Sequence, residues 1–107
     1  MEKITDAKGR VLAIRDLSPL DEMDLIEAAG SVAENARWMT FATLAARVAE
    51  IDGVPVPLPS SKSMIRNLIG RLGTEGLNAV TTHVVKGIDL KAAEGAVAKE
   101  MVDAVKN

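Results

Sequence analysis

Three alternating prolines, Pro55, Pro57 and Pro59, restrict the middle of the chain more than any other feature of the sequence. Each proline lacks a backbone N–H and pushes the residue before it toward an extended conformation, so no helix can cross this stretch. The residues between the prolines are apolar, whereas a flexible linker is typically poor in such residues. Residues 51–59 are therefore predicted to form an ordered extended crossing against the core.

The composition favours helices around that crossing. With 107 residues the chain is long enough for one core and too short for two, so we expect a single domain over residues 1–107. Apolar residues make up 48% of the chain and aromatic residues only 2%. The core must then consist of Ala, Val, Leu, Ile and Met, which pack well between close helices.

The N-terminal residues 3–15 have the pattern of a β-hairpin. Two short runs, 3–5 and 10–15, flank the turn residues 6–9, and Gly9 can take the positive φ that a tight turn needs. A hairpin alone is marginally stable in water. We therefore expect it to rest on the helices that follow.

Start and stop signals divide the rest of the chain into about five helices. Ser18 can cap the first helix, Pro19 suits its first turn, and Gly30 ends it. The predicted helices cover residues 19–29, about 32–50, 61–73, 74–87 and 90–105, with the proline-rich crossing between the second and the third. The predicted fold class is α+β, mostly α: a hairpin (3–15), a helical core (19–86) and an amphipathic terminal helix (89–106).

The terminal helix, residues 89–106, has only a thin apolar stripe that Gly95 interrupts. Short helices with little apolar surface are marginal in water unless something packs against them. We therefore expect this helix to be ordered by a partner or by a second copy of the chain.

Several classes of function are disfavoured by what the sequence lacks. There is no cysteine, so no disulfide or thiolate metal site can form, and we expect neither a metal nor a cofactor. The N-terminus lacks the apolar run of a signal peptide, and no stretch approaches the ~20 apolar residues that span a bilayer. The expectation is a cytoplasmic protein without a membrane partner.

Acidic side chains are concentrated in one segment. Residues 16–36 carry six acids and no base, whereas residues 60–73 carry three bases and no acid. Asp21, Asp24 and Glu27 are predicted to form a charged contact face, which either meets a basic partner segment or meets the chain's own Lys62, Arg66 and Arg71.

Catalysis has weak support. His83 is the only histidine, and no serine or aspartate stands near it at a motif spacing. Asp21 and Asp24 are three residues apart, but acid–base catalysis would need one of them in an apolar pocket with a raised pKa. The glycine-rich stretch 70–76 joins two predicted helices and does not follow a strand, so a dinucleotide loop is disfavoured. We predict no catalytic residues.

A helix-turn-helix DNA-binding regulator is the main alternative, because the predicted helices 61–73 and 74–87 are consecutive. The second helix would have to supply the side chains that contact bases and phosphates, yet residues 74–86 contain few suitable groups. The net charge of −2 also gives no general attraction to phosphate. Nucleic acid is therefore a disfavoured partner.

Protein binding is the function that the residues favour. Trp38, Met39 and Phe41 belong to a predicted helix with a broad apolar surface, and Val97 and Met101 belong to the stripe of the terminal helix. An apolar helical face is what one protein offers to another protein's helix. We predict that these five residues form the protein-binding surface.

Four segments together resemble the small tail assembly chaperones of tailed bacteriophages and prophages: residues 5–10, 17–21, 51–59 and 71–80. The resemblance covers roughly residues 4–85. It implies a protein without catalytic residues that binds the long, aggregation-prone tape-measure protein in the host cytoplasm and helps to recruit tail-tube subunits. Another phage or host interaction protein, such as an inhibitor, is a further alternative, and a homo-oligomer stays open.

Overall fold

A four-stranded antiparallel sheet and three α-helices make up residues 1–94, the part of the chain that the computed structural model describes; side chains are described as far as residue 87. The strands lie side by side in the order of the chain. The elements are β1 (Glu2–Thr5), β2 (Val11–Ile14), α1 (Pro19–Ala29), a short 3-10 helix (Gly30–Glu34), α2 (Ala36–Ala46), β3 (Val48–Ile51), β4 (Val54–Pro55) and α3 (Lys62–Glu94).

The predicted N-terminal hairpin is confirmed. β1 pairs with β2 in an antiparallel register that places Ile4 opposite Leu12. Gly9 has the expected positive φ, 82°. The turn is held by the side chain of Asp6, whose Oδ1 atom accepts hydrogen bonds from the backbone N–H groups of Lys8 and Arg10 at 3.0 and 2.9 Å.

The prediction of a bundle of about five helices is wrong. The second predicted helix was to reach Glu50, but α2 ends at Ala46 and the chain turns at Arg47 into β3. β3 pairs with β2, with Ile51 opposite Leu12. A continuous apolar run fits a buried strand as well as a helix, and the local pattern cannot distinguish them. Here pairing with a strand about 40 residues earlier decides the outcome.

A second hairpin follows directly, in the segment predicted to be only an extended crossing. Asp52 and Gly53 form a two-residue turn with φ of 50° and 81°, as a type I′ hairpin turn requires. The Asp52 carboxylate accepts a hydrogen bond from the N–H of Val11 at 2.8 Å, which ties this turn to β2. β4 then includes Pro55, which is tolerated because β4 is the last strand of the sheet.

The third and fourth predicted helices are joined in α3, which bends at Gly73. The φ and ψ of Gly73 are 63° and −169°, far from helical values, so this glycine marks the predicted boundary between residues 61–73 and 74–87. One residue joins the two halves, whereas a helix-turn-helix uses a turn of three to four residues. Gly87 does not end the helix, and the remainder of the predicted terminal helix, 95–106, lies outside the described residues.

α1 begins and ends where the sequence indicates. Ser18 Oγ accepts a hydrogen bond from the N–H of Asp21 at 3.1 Å, and the Asp21 carboxylate accepts one from the N–H of Ser18 at 3.0 Å. These two bonds form a capping box. Pro19 occupies the first turn, and Gly30 ends the helix with a φ of 67°.

The buried side chains form two clusters on the inner side of α3. The larger cluster fills the space between the sheet and α3, and contains Leu12, Ile14, Ala45, Val48, Ile51, Val56, Leu68, Leu72 and Val80. The smaller cluster joins α1, α2 and the first half of α3 through Leu25, Ala42, Ala46 and Ile65. Ile69 contacts both clusters, so the sheet and the helices share one continuous apolar interior.

Candidate protein-binding surface

Three large apolar side chains of α1 are exposed to solvent. Leu20, Met23 and Ile26 retain 66%, 58% and 51% of their accessible surface. Because successive helical residues are about 100° apart, positions three residues apart follow one side of the helix within an arc of about 120°. The opposite side is buried through Leu25 and Ala29. We name Leu20, Met23 and Ile26 the α1 strip.

Negatively charged side chains surround the α1 strip. Glu22, Asp24 and Glu27 are exposed on the same solvent-facing half of the helix, and α1 contains no basic residue. Among the side chains of residues 1–87, no basic nitrogen lies within 4.0 Å of an α1 carboxylate. The ion pairs among those side chains join residues of the first hairpin and α3. This face therefore combines exposed apolar area with negative charge that the described residues do not neutralise.

The structure assigns different positions to the three acids predicted as a contact face. Asp21 is half-buried and its carboxylate is used in the capping box. Asp24 and Glu27 are exposed and border a groove of about 390 Å³, whose other wall is formed by Leu58 and Pro59 of the extended crossing. Asp24 and Glu27 thus share a surface beside the α1 strip, whereas Asp21 mainly stabilises the start of α1.

The aromatic residues of α2 divide between the interior and the surface. Trp38 and Met39 are half-buried and pack against the smaller core cluster. Phe41 remains 38% exposed, and the guanidinium carbon of Arg37 lies 5.8 Å from its ring centre, within the range of a cation–π contact. Trp38 and Phe41 also line a shallow cavity of about 310 Å³ with α3.

Val97 and Met101, the other two residues of the predicted protein-binding surface, lie outside the described residues. The structure therefore describes no relationship between them and the α2 aromatics. Of the five predicted residues, Phe41 is the one that is clearly exposed in the described part of the chain.

The α1 strip was not among the residues predicted to bind a partner. Its signal was present in the spacing of Leu20, Met23 and Ile26, which recur every three residues. Because acidic residues lie between these positions, the segment was predicted to be a charged face. A helix with exposed residues of both kinds on one side is better interpreted as a mixed surface, where apolar contact supplies area and charge selects the partner.

Asp6 is a buried ionisable residue with a structural role. Burial alone would raise the pKa of its carboxyl, but hydrogen bonds from the backbone and guanidinium of Arg10 and from the backbone of Lys8 outweigh that effect. The pKa therefore lies below the ordinary value for an aspartate. The Nε atom of Arg10 donates to Asp6 Oδ2 at 2.7 Å, which leaves this carboxylate ionised and engaged.

The histidine of the chain is half-buried beside an exposed carboxylate. His83 Nε2 lies 3.7 Å from Glu2 Oε2, and the Glu2 side chain is 78% exposed. Within residues 1–94, no cluster of three or more His, Asp or Glu side chains is placed to hold a metal ion. In the same residues, no helix has the length and apolar character needed to cross a membrane.

Comparison with known proteins finds no relative: no family model, no curated protein and no solved structure matches the chain. The α1 strip and its carboxylates are the feature of the described surface with the clearest binding chemistry.

Proposed function

We propose that the protein is a non-enzymatic chaperone of phage tail assembly, which binds the tape-measure protein in the cytoplasm of the bacterial host and helps to recruit tail-tube subunits. The observation that supports a binding role is the α1 strip, three large apolar side chains exposed on one helix face. The identity of the partners follows from the sequence resemblance to tail assembly chaperones.

The size of the α1 strip sets what a partner must provide. Full burial of a large aliphatic side chain contributes about 1.5–3 kcal/mol, so three side chains that are already partly covered contribute roughly 3–4 kcal/mol together. Loss of translational and rotational freedom on association costs about as much or more. Apolar contact at the α1 strip is therefore insufficient alone, and the surrounding carboxylates must take part in the interaction.

The charges indicate the chemistry of the bound segment. Glu22, Asp24 and Glu27 would be complemented by Lys or Arg side chains that flank an apolar stripe. An amphipathic helix with apolar residues at intervals of three and four presents such a stripe and fits a helical face. The partner segment in this proposal is accordingly a basic amphipathic helix.

A second copy of the chain is a poor partner for this face. If two α1 helices packed against each other, the carboxylates of one copy would lie against those of the other, and opposed like charges disfavour association. Self-association of this chain would then use another surface. Each chain would then bind one partner segment through its α1 strip.

Co-expression with a tape-measure fragment tests the proposal. The fragment would come from the same phage genome, in which a chaperone gene is expected between the genes for the tube and the tape measure. We expect the wild-type chain to keep the fragment in the soluble fraction and to copurify with it. If the fragment is equally insoluble with and without the chain, the chaperone role is rejected.

Substitutions test the surface separately from the role. Met23→Gln with Ile26→Gln should reduce fragment recovery at least about tenfold, because the apolar contact is lost. Met64→Gln with Val85→Gln is a matched control, since both side chains are exposed apolar groups on α3. Urea unfolding of both variants should stay near wild type. Recovery that is the same in both variants would exclude the α1 strip as the contact surface.

A further inference from the structure

The outer edge of β1 carries backbone groups that have no strand partner within residues 1–94. β1 is the first strand in the sheet order. The N–H of Asp6 points toward β2, where it donates to the carbonyl of Arg10 at 3.0 Å. Because the direction alternates along an antiparallel strand, Ile4 also faces β2, and Lys3 and Thr5 direct their N–H and C=O groups outward. Such an edge is a template for another strand.

A cleft of about 560 Å³ runs beside this edge, between β1 and the second half of α3. Ile4 and Thr5 of β1 and the turn residues Asp6 and Ala7 line it on the side of the sheet. Side chains of consecutive strand residues alternate between the two faces of a sheet. Because the neighbouring strand residues Ile4 and Thr5 both line the cleft, it follows the outer edge at the end of β1 and continues along the turn.

The helical wall of the cleft carries a row of polar side chains. Thr74, Asn78, Thr82 and Lys86 follow one another at intervals of four residues and all line the cleft. At 1.5 Å per residue the row is about 18 Å long. A strand of about five residues has the same length. The cleft thus has an edge of backbone donors and acceptors on one side and side-chain hydrogen-bonding groups on the other.

The ends of the cleft differ in charge. β1 runs antiparallel to α3, since Glu2 lies beside His83 and Lys8 lies beside Glu75 at 3.6 Å. The negative charge of Glu75 is balanced by Lys8 at one end. At the other end, near the start of β1, Lys86 is the basic residue of the cleft lining, and the Glu2 carboxylate beside His83 lies outside that lining. A strand antiparallel to β1 would have its C-terminal end there.

We propose that this cleft binds an extended segment of a partner protein as a fifth strand, antiparallel to β1, with a carboxylate at its C-terminal end beside Lys86. Strand addition to an exposed edge is an established form of peptide recognition, in which the main chain provides affinity and the neighbouring side chains provide specificity. The site is separate from the α1 strip, and it does not depend on the function proposed above.

Peptide titration of the isotopically labelled full-length protein tests this inference. The probes are acetyl-Val-Thr-Val-Thr-Asp amide and acetyl-Val-Thr-Val-Thr-Asn amide, which differ by a single carboxylate. We expect the acidic peptide to bind roughly threefold to tenfold tighter at low salt, as one exposed charge contact allows. Lys86→Glu should reverse the order. Absence of saturable binding by either peptide would overturn the proposal, as would equal binding of both.

Amide hydrogen exchange identifies the occupant. The amides of Lys3 and Thr5 should exchange rapidly in the free protein and at least about tenfold more slowly with the acidic peptide bound. The amides of Lys3 and Thr5 could already be protected from exchange in the free protein. If that protection did not change with protein concentration, another part of the same chain would cover the β1 edge. Protection that rises with protein concentration would mean that a second copy covers it. Either result would contradict the proposal.

Two pairs of variants separate binding from folding. Thr82→Trp fills the cleft from an exposed position and should abolish binding, whereas Thr81→Trp, exposed on α3 but absent from the cleft lining, should not. Thr5→Pro removes one outward N–H without removing a bond to β2, and proline is tolerated on an edge strand. Thr5→Val keeps that N–H. Equal binding by Thr5→Pro and Thr5→Val would exclude strand addition.

Discussion

The Nη2 atom of Arg10 lies 2.7 Å from the carbonyl oxygen of Leu72, and its Nη1 atom lies 2.8 Å from that of Arg71. These carbonyls belong to the last helical turn before Gly73, where the helical hydrogen-bond ladder is interrupted and acceptors lose their partners. One guanidinium supplies the missing donors and binds Asp6 as well. The hairpin turn is thereby fixed to the bend of α3.

Arg10→Ala should destabilise the protein by about 2–3 kcal/mol, because it removes charge-assisted hydrogen bonds and leaves carbonyls without donors. Arg10→Lys should recover only part of this loss, since an ammonium lacks the forked donor geometry. The free energy of unfolding in urea is the measurement. Lys8→Ala, which removes an exposed charge from the same turn, should cost about 1 kcal/mol or less. Equal losses in Arg10→Ala and Lys8→Ala would refute this account.

Asp6 should make stability fall in acid. Its pKa in the folded protein is below the ordinary value of 3.8, so its contribution is complete above that pH and is lost as pH falls through the folded-state pKa. Wild type should therefore lose more stability than Asp6→Asn between about pH 5 and pH 2. Urea unfolding across this range measures the difference. An Asp6→Asn variant with the same pH dependence as wild type would contradict this assignment.

Gly73→Ala should destabilise the protein by about 1–3 kcal/mol, because a φ of 63° with a ψ of −169° is almost restricted to glycine. Gly70→Ala is the matched control three residues earlier. That glycine is helical, and an added Cβ would meet nothing within 4 Å, so alanine should stabilise by about 0.5–1 kcal/mol. Thermal unfolding measures both. A Gly73→Ala variant as stable as wild type would mean that the bend can straighten.

Substitution of Asp52 by asparagine should be tolerated, whereas substitution by alanine should not. Asp52→Ala loses the acceptor for the Val11 N–H and places a residue with a Cβ at positive φ, so a cost of about 1–3 kcal/mol is expected. Asp52→Asn keeps an acceptor oxygen and adopts positive φ readily, so it should stay within about 1 kcal/mol of wild type. Urea unfolding compares the two. A loss in Asp52→Asn equal to that in Asp52→Ala would exclude this explanation.

Local signals predicted several parts of the fold correctly. The first hairpin, the cap at Ser18 and the ends of α1 depend on residues only a few positions apart, and their physical causes can be recognised in the sequence. The boundary at Gly73 was also placed correctly, although the chain continues as one bent helix. These features need no knowledge of what packs against them.

The rest depended on contacts between distant residues. β3 was assigned to a helix because its apolar run fits either structure, and only pairing with β2 makes it a strand. The signal that could have corrected this was Asp52-Gly53, a dipeptide strongly favoured in type I′ hairpins, which implies strands on both sides. With that turn recognised, the sheet could have been extended beyond the first hairpin.

In the candidate protein-binding surface, too, some features follow from the local sequence and others depend on distant contacts. Trp38 and Met39, two of the residues predicted to contact a partner, are half-buried against the core, and the burial of an apolar helix position depends on its neighbours. The spacing of Leu20, Met23 and Ile26 is enough to place them on one side of α1. Their exposure does not follow from the spacing, because it depends on which side of α1 meets α2 and α3.

The two edges of the sheet set a limit on assembly. β4 has only two residues, and the Val56 N–H beyond it donates inward to Ala49 at 2.7 Å, so Pro55 faces outward and offers no donor there. Two chains joined at their β1 edges would leave only these blunt edges outside. Growth through the sheet would stop at such a pair, because a two-residue strand whose outward position is a proline is a poor template for a further strand.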